Sequence, residues 1–432
     1  MKLVRIFLVV ALVANLGFGL RQLVLRGGYG DFFVYDTAAS LVRSGQSMSI
    51  YDGADTGVDP QIRWADPDSK FAAAARFLGI SPVRLYVYPP LLADLLVPFS
   101  LLPAIAAARL WFALCTAMLV AAGAIAARSM GARWRSWAML AWISAILGLG
   151  LYSLSWGQVT PLLCLLWSLG IFTYKKESPN LSAVALALGT AIKLTPVLVV
   201  VPFLVCREWK WLRAYLLSLV ALIAAMVMLN GPASLLDYQV HVLPSMSAGY
   251  PDPYNFSISS AFRLIYLVVP SPPSFTSAAP QAVATLCSVL TVAVTCWMIR
   301  KRRETLSQRE WWAILAAISM LSVSLAPVSF QQAYIVVAFP LGFLWLDLLR
   351  GGLRPFFTPV VIAATLEYAT FSTKIFRNAR FAPIGGGVCA LIPPVVGIVI
   401  ALLCIARTPD PQSQLVPKLV KTDRNEAIAG PA

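Results

Sequence analysis

Ten apolar runs dominate this chain, near residues 5–25, 104–127, 136–153, 158–174, 214–229, 281–299, 311–326, 333–349, 356–371 and 383–405. Each suits a helix crossing a hydrocarbon core. Backbone in that core must satisfy its own polar groups, so the runs fold as helices unless they alternate as barrel strands do, and they do not alternate. With 59% hydrophobic and only 12% charged residues among 432, a soluble globule is excluded. The expected class is an all-α polytopic membrane protein with about 10–12 membrane helices. Lys2 and Arg5 precede the first run and no small-residue cleavage site follows a short core, so this run reads as a retained helix. The transmembrane domain is expected over 1–406. Residues 407–432 are expected as a disordered cytoplasmic tail.

The net charge of +15 would suit a nucleic-acid partner if it formed one patch. Instead the cations sit in short connections: Arg128 to Arg135, Lys175-Lys176, Arg207 to Arg213, Arg300 to Arg309 and Arg350 to Arg354. Such loops anchor topology and stay in the cytoplasm, which removes nucleic acid as a partner. The opposite side then receives a long first loop, about 26–87, with short amphipathic helices, and also Trp156-Gly157-Gln158, segment 230–257 and Pro327 to Gln332. Their common side predicts one composite extracytoplasmic site. Six of seven cysteines fall inside the runs, Cys206 lies at a run end, and the single histidine, His241, reads as an ordinary loop residue. No disulfide framework, metal centre or Ser/His pair follows from that inventory.

Two segments resist counting as crossings. Residues 181–205 lie between two cytoplasmic basic loops and must return to their starting side, with Lys193-Leu194-Thr195-Pro196 in the middle. A residue before proline resists helical geometry, so a broken pair of half-helices is expected there. Residues 85–103, punctuated by Pro89, Pro90, Pro98 and Pro103, are expected to be partly re-entrant.

Asp31 stands just beyond the first run, where it reads either as a functional acid or as a cap for the amphipathic stretch Phe32 to Val42. Lys193, an ammonium in an apolar segment, calls for an anion: a lipid phosphate, an internal pair with Asp94 or Glu367, or a snorkelling position at the interface. Arg263 can grip phosphate in two parallel hydrogen bonds or serve as an interfacial anchor. Asp94 and Glu367 could belong to a proton relay, which would suit a lipid or sugar transporter. Asn255-Phe256-Ser257 also fits an N-glycosylation acceptor, a common coincidence. No Gly-rich phosphate loop or nucleotide-binding βαβ unit is present, so a transferase of this build needs a donor carried by lipid.

Taken in order, Gly30-Asp31-Phe32-Phe33-Val34-Tyr35, Tyr88-Pro89-Pro90-Leu91, Gly157-Gln158, Ala191-Ile192-Lys193-Leu194-Thr195-Pro196, Asn255-x-Ser257 and Pro327-x-Ser329 resemble the polyprenol-phosphate-mannose-dependent α-1,2-mannosyltransferases of the GT-C fold. The likeness runs from about residue 1 to 350. It implies an integral protein of a bacterial plasma (inner) membrane that moves a hexose, mannose by resemblance, from a polyprenyl-phosphate donor to a lipid or glycan acceptor. The reaction is extracytoplasmic and inverting, with no cofactor expected and no metal-binding residue assigned. By motif position, Asp31 is the general base, Lys193 and Arg263 bind the donor phosphate, and Tyr35, Tyr88, Gln158, Asn255 and Gln332 line the substrate. Relatives often carry histidines where this chain reads Ser329-Phe330-Gln331-Gln332, and Gln332 cannot shuttle a proton at neutral pH. That departure bears on sugar and acceptor, and it keeps an inactive relative serving as a binding subunit among the alternatives.

Overall fold

The computed structural model describes residues 30–52, 65–131, 137–175, 178–247, 255–268, 278–303, 306–349, 358–362 and 385–406, with isolated positions elsewhere. The first run, most of 356–371 with Glu367, and the tail 407–432 lie outside the described residues. Helices account for nearly everything described. In chain order they are α1 Gly30–Arg43, α2 Lys70–Phe77, α3 Pro90–Leu96, α4 Ala104–Ser129, α5 Trp137–Trp156, α6 Thr160–Lys175, α7 Pro179–Ile192, α8 Val200–Val205, α9 Trp209–Asp237, α10 Leu243–Ser247, α11 Ile258–Val268, α12 Ala278–Arg302, α13 Gln308–Ser324, α14 Ala338–Leu349 and α15 Gly385–Ala406. Among the described residues, four helical stretches, formed by α4, α9 with its continuation to Met246, α12 and α15, are long and apolar enough to cross a membrane alone. Five shorter apolar segments accompany them. The chain is an all-α polytopic membrane protein, as the run pattern predicts.

Helices α5, α4, α6, α7 and α9 pack side by side in that order. Small residues set the closest approach: a Cβ on Gly123 of α4 would come within 2.9 Å of the Ile143 backbone in α5. Without a hydrophobic force between helices in lipid, such contacts are what hold them. Contacts of Tyr174 and Trp311 with Phe203, and of Phe203 with Trp211, bring together the ends of α6, α8, α9 and α13 next to described basic connections. Arg302 donates to the Ala406 carbonyl.

Helix α7 stops at Lys193, and the chain returns through the 3-10 segment Thr195–Val199 and α8. Phe203 near the end of the return stacks on Trp211 of α9, centroids 3.6 Å apart and 5° from parallel. The Trp211 indole in turn donates to Ser182 near the start of α7 (3.1 Å). Both feet of the hairpin are thereby fixed at one end, as expected for 181–205. The break falls at Lys193, in extended conformation (φ −153°, ψ 122°), rather than at Thr195. Pro196 is tolerated in the first turn of the returning segment because no helical N–H is needed there.

Segment 85–103 forms the seven-residue α3 and a 3-10 turn, Phe99–Leu101, too short to cross. The run 333–349 corrects the expectation of a single helix. Gln331–Val337 is 3-10, and only the twelve residues of α14 are α-helical. Pro340 lacks an N–H and crowds the Val336 carbonyl, which disfavours an α-helical turn before it.

Candidate active site

Asp31 lies in the first turn of α1, where helix geometry favours a negative charge, and it is 8% exposed. It makes an ion pair with Arg84: Nη1 donates to Oδ1 at 3.3 Å. The Arg84 guanidinium lies over the Trp156 indole, 4.6 Å from Cζ to the ring centroid. Lys193, at the apex of the hairpin, faces the Tyr88 ring at 5.7 Å and acts on Asp31 through its charge. Burial raises the Asp31 carboxyl to about 6, while Arg84 and Lys193 oppose that rise. The carboxylate is therefore ionised at neutral pH and close to the range where it accepts a proton well.

Beside this pair, three oxygens form a triangle. The Tyr35 hydroxyl lies 3.0 Å from that of Tyr88 and 3.2 Å from Gln158 Oε1, and Tyr88 donates to the same Oε1 at 3.1 Å. Burial pushes the Tyr35 phenol well above its usual range, so it remains a neutral donor. Gln158 is thus locked by two hydroxyls, which fixes its carboxamide. Tyr88 is itself placed by a bond from the Tyr51 hydroxyl to its carbonyl (2.7 Å) and by the proline pair that follows, which keeps the segment extended before α3.

The Gly157-Gln158 turn positions Asp31 as well as Gln158. Trp111 of α4 donates to the Gly157 carbonyl (2.8 Å) and stacks on Phe32, the neighbour of Asp31. Gly157 has φ +67°, and a Cβ there would stand 2.7 Å from Phe32 Cβ. Gly157→Ala should therefore incur about 1–2 kcal/mol for left-handed backbone and a further ~1–3 kcal/mol for overpacking. The expected result is a lower midpoint of thermal unfolding in detergent together with weaker function. An unchanged midpoint would mean that α1 does not rest on this turn.

Asp31, Tyr35, Tyr88, Gln158 and Lys193, proposed from motif order, are brought together. Three others complete the set: Asn255, Arg263 and Gln332. Asn255 is fully buried and accepts from the Ser329 N–H (2.8 Å) beside an antiparallel bridge to Phe330, while the Phe256 N–H donates to the Ser329 carbonyl. In this position Asn255 clasps two loops. Arg263 stands on α11, which packs on α15 and α12 rather than on the helices that hold Asp31. The Gln332 side chain lies outside the described residues, although its backbone belongs to the 3-10 segment Gln331–Val337.

Lys193 does not pair with Asp94. Both Asp94 oxygens accept from Asn230 Nδ2 (2.8 Å each), and Ser47 donates to the Asn230 carbonyl (3.0 Å). These bonds tie α3 and the first loop to the α9 kink, where Gly231 (φ 76°, ψ 161°) and Pro232 interrupt the helix. Sequence reasoning missed Arg84. The available signal was a lone cation in the otherwise uncharged stretch between Arg76 and Asp94.

No curated protein matches the chain. The model of glycosyltransferase family 87 matches residues 86–306, just over half of the 432. That span contains Tyr88, Gln158 and Lys193, and the fold returns Asp31 and Arg84 to it from outside. With an all-helical membrane bundle, a buried acid between two cations and a family match over half its length, the chain belongs to glycosyltransferase family 87, a membrane glycosyltransferase.

Proposed function

We propose that this glycosyltransferase moves mannose from a polyprenyl-phosphate donor to a hydroxyl of a lipid or glycan acceptor, at the extracytoplasmic face of a bacterial plasma membrane. The observation that carries the reading is a nearly buried carboxylate, Asp31, acted on by two cations, one of them at the apex of an apolar hairpin. The acceptor oxygen attacks the anomeric carbon as its proton passes to Asp31. The bond from that carbon to the phosphate oxygen breaks, and its electron pair leaves with polyprenyl phosphate, whose charge Lys193 balances. Direct displacement inverts the anomeric centre. Arg263 and Gln332 keep their assignment, to the phosphate and to the substrate wall, by motif position alone. Outward placement is supported by the basic connections next to the joined ends of α6, α8, α9 and α13, at the feet of the hairpin whose apex carries Lys193.

The test is incubation of the purified chain with polyprenyl-phosphate mannose and an extract of membrane lipids. Release of polyprenyl phosphate with a new mannosylated product of inverted configuration is expected. Intact donor would overturn the reading in favour of a carrier or a binding subunit. In the active preparation kcat/KM should be flat above about pH 6 and fall tenfold per unit below it, since protonated Asp31 cannot accept a proton. Asp36, also buried on α1, is likewise raised by burial to about 6, with Arg43 opposing. Asp36→Asn should therefore retain the acid limb. Loss of the limb in that variant would move its origin from Asp31 to Asp36.

A further inference from the structure

Arg84 holds the acid by a single bond, from a position that allows movement. At 3.3 Å its contact with Asp31 is longer than the ~2.7–2.9 Å of a tight charge-assisted bond. Its side chain keeps 30% exposure, and its stacking on Trp156 does not depend on where its N–H groups point. A carboxylate paired with a guanidinium is a weak base, because the opposite charge favours the ionised form. A phosphodiester anion presents two oxygens to the guanidinium fork and is the stronger competitor for it.

We propose that Arg84 is shared between two anions: it pairs with Asp31 while the donor site is empty and passes to the donor phosphate on binding, releasing Asp31 to act as a base. This rests on the polyprenyl-phosphate reading above. Chemistry is thereby ordered. The acceptor hydroxyl meets a competent base only once the leaving group is seated. Losing one cationic partner and gaining a nearby anion both raise the proton affinity of Asp31, so binding of the phosphate takes up a proton. Among the described residues, the charges that act on Asp31 are Arg84 and Lys193; Lys70, Arg76, Asp94, Arg109 and Arg128, on helices packed against α1, do not.

The experiment is calorimetric titration of the full chain in detergent with a short-chain polyprenyl-phosphate mannose, a phosphodiester that does not itself titrate in this range, without acceptor, at about pH 6.5, in two buffers of different ionisation heat. Wild type should take up roughly half a proton on binding. Asp31→Asn should bind at least as tightly and take up none. Arg84→Gln should bind roughly ten-fold more weakly, with Arg84→Lys intermediate because it keeps the charge and loses the fork. Should Arg84→Gln fail to fold, the lysine variant carries the comparison. Wild-type affinity in Arg84→Gln, or binding of wild type without uptake, would leave Arg84 as a fixed partner of Asp31 and overturn the exchange alone. Absence of any binding by wild type would bring down the donor reading, and the exchange with it.

Discussion

Asp31→Asn should reduce transfer by at least the ~10²–10⁴-fold typical of a lost general base, with the protein still folded. The amide nearly preserves the shape of the carboxylate and can still accept from Arg84 Nη1, so α1 keeps its seat, through Phe32, against Phe99 and Trp111. It cannot take the acceptor proton. Removing a charge that burial disfavours also predicts a thermal midpoint no lower than that of wild type. The measurement is turnover of polyprenyl-phosphate mannose beside thermal unfolding, at matched protein levels. Near-normal turnover would reject Asp31 as the base while leaving the family and the fold untouched.

Lys193→Met should weaken binding of polyprenyl phosphate by about 1.5–3 kcal/mol, roughly ten- to a hundred-fold, the worth of one charged hydrogen bond. Transfer should slow further, because the leaving phosphate gains charge as the bond breaks. Lys193→Arg should restore charge and only part of the rate, since the planar guanidinium cannot occupy the compact ammonium position over Tyr88. If Lys193 instead serves mainly to neutralise Asp31, the methionine variant would lose stability because the carboxylate is left with Arg84 alone. Unchanged affinity for polyprenyl phosphate with a lowered midpoint would identify that structural role and remove the phosphate site from the hairpin apex.

Much of this site was legible because its signals are local. The hairpin 179–205 follows from two basic feet, an apolar run and a central Lys-Leu-Thr-Pro, all within one stretch of chain. Pro340 was a local signal that the expectation of a single helix over 333–349 passed over: it disfavours the α-helical turn before it, where the structure shows 3-10 geometry. The setting of Asn255 was hidden for the opposite reason. A buried amide that clasps Ser329 and an exposed amide that meets a sugar look identical until the partner loop, 74 residues away, is in place.

By itself the sequence determined the solvent of this protein, because hydropathy over a span length is an additive, local quantity. Ordered motifs then nominated Asp31, Tyr35, Tyr88, Gln158 and Lys193 as neighbours. Only the tertiary structure decided who holds whom. The Arg84–Asp31 ion pair closes a loop of 53 residues, and the bond from Tyr35 to Gln158 closes one of 123. Such closures depend on where Gly157 lets Phe32 approach and where Trp111 pins the turn. They depend on packing at ångström scale, and no local pattern in the chain encodes that distance.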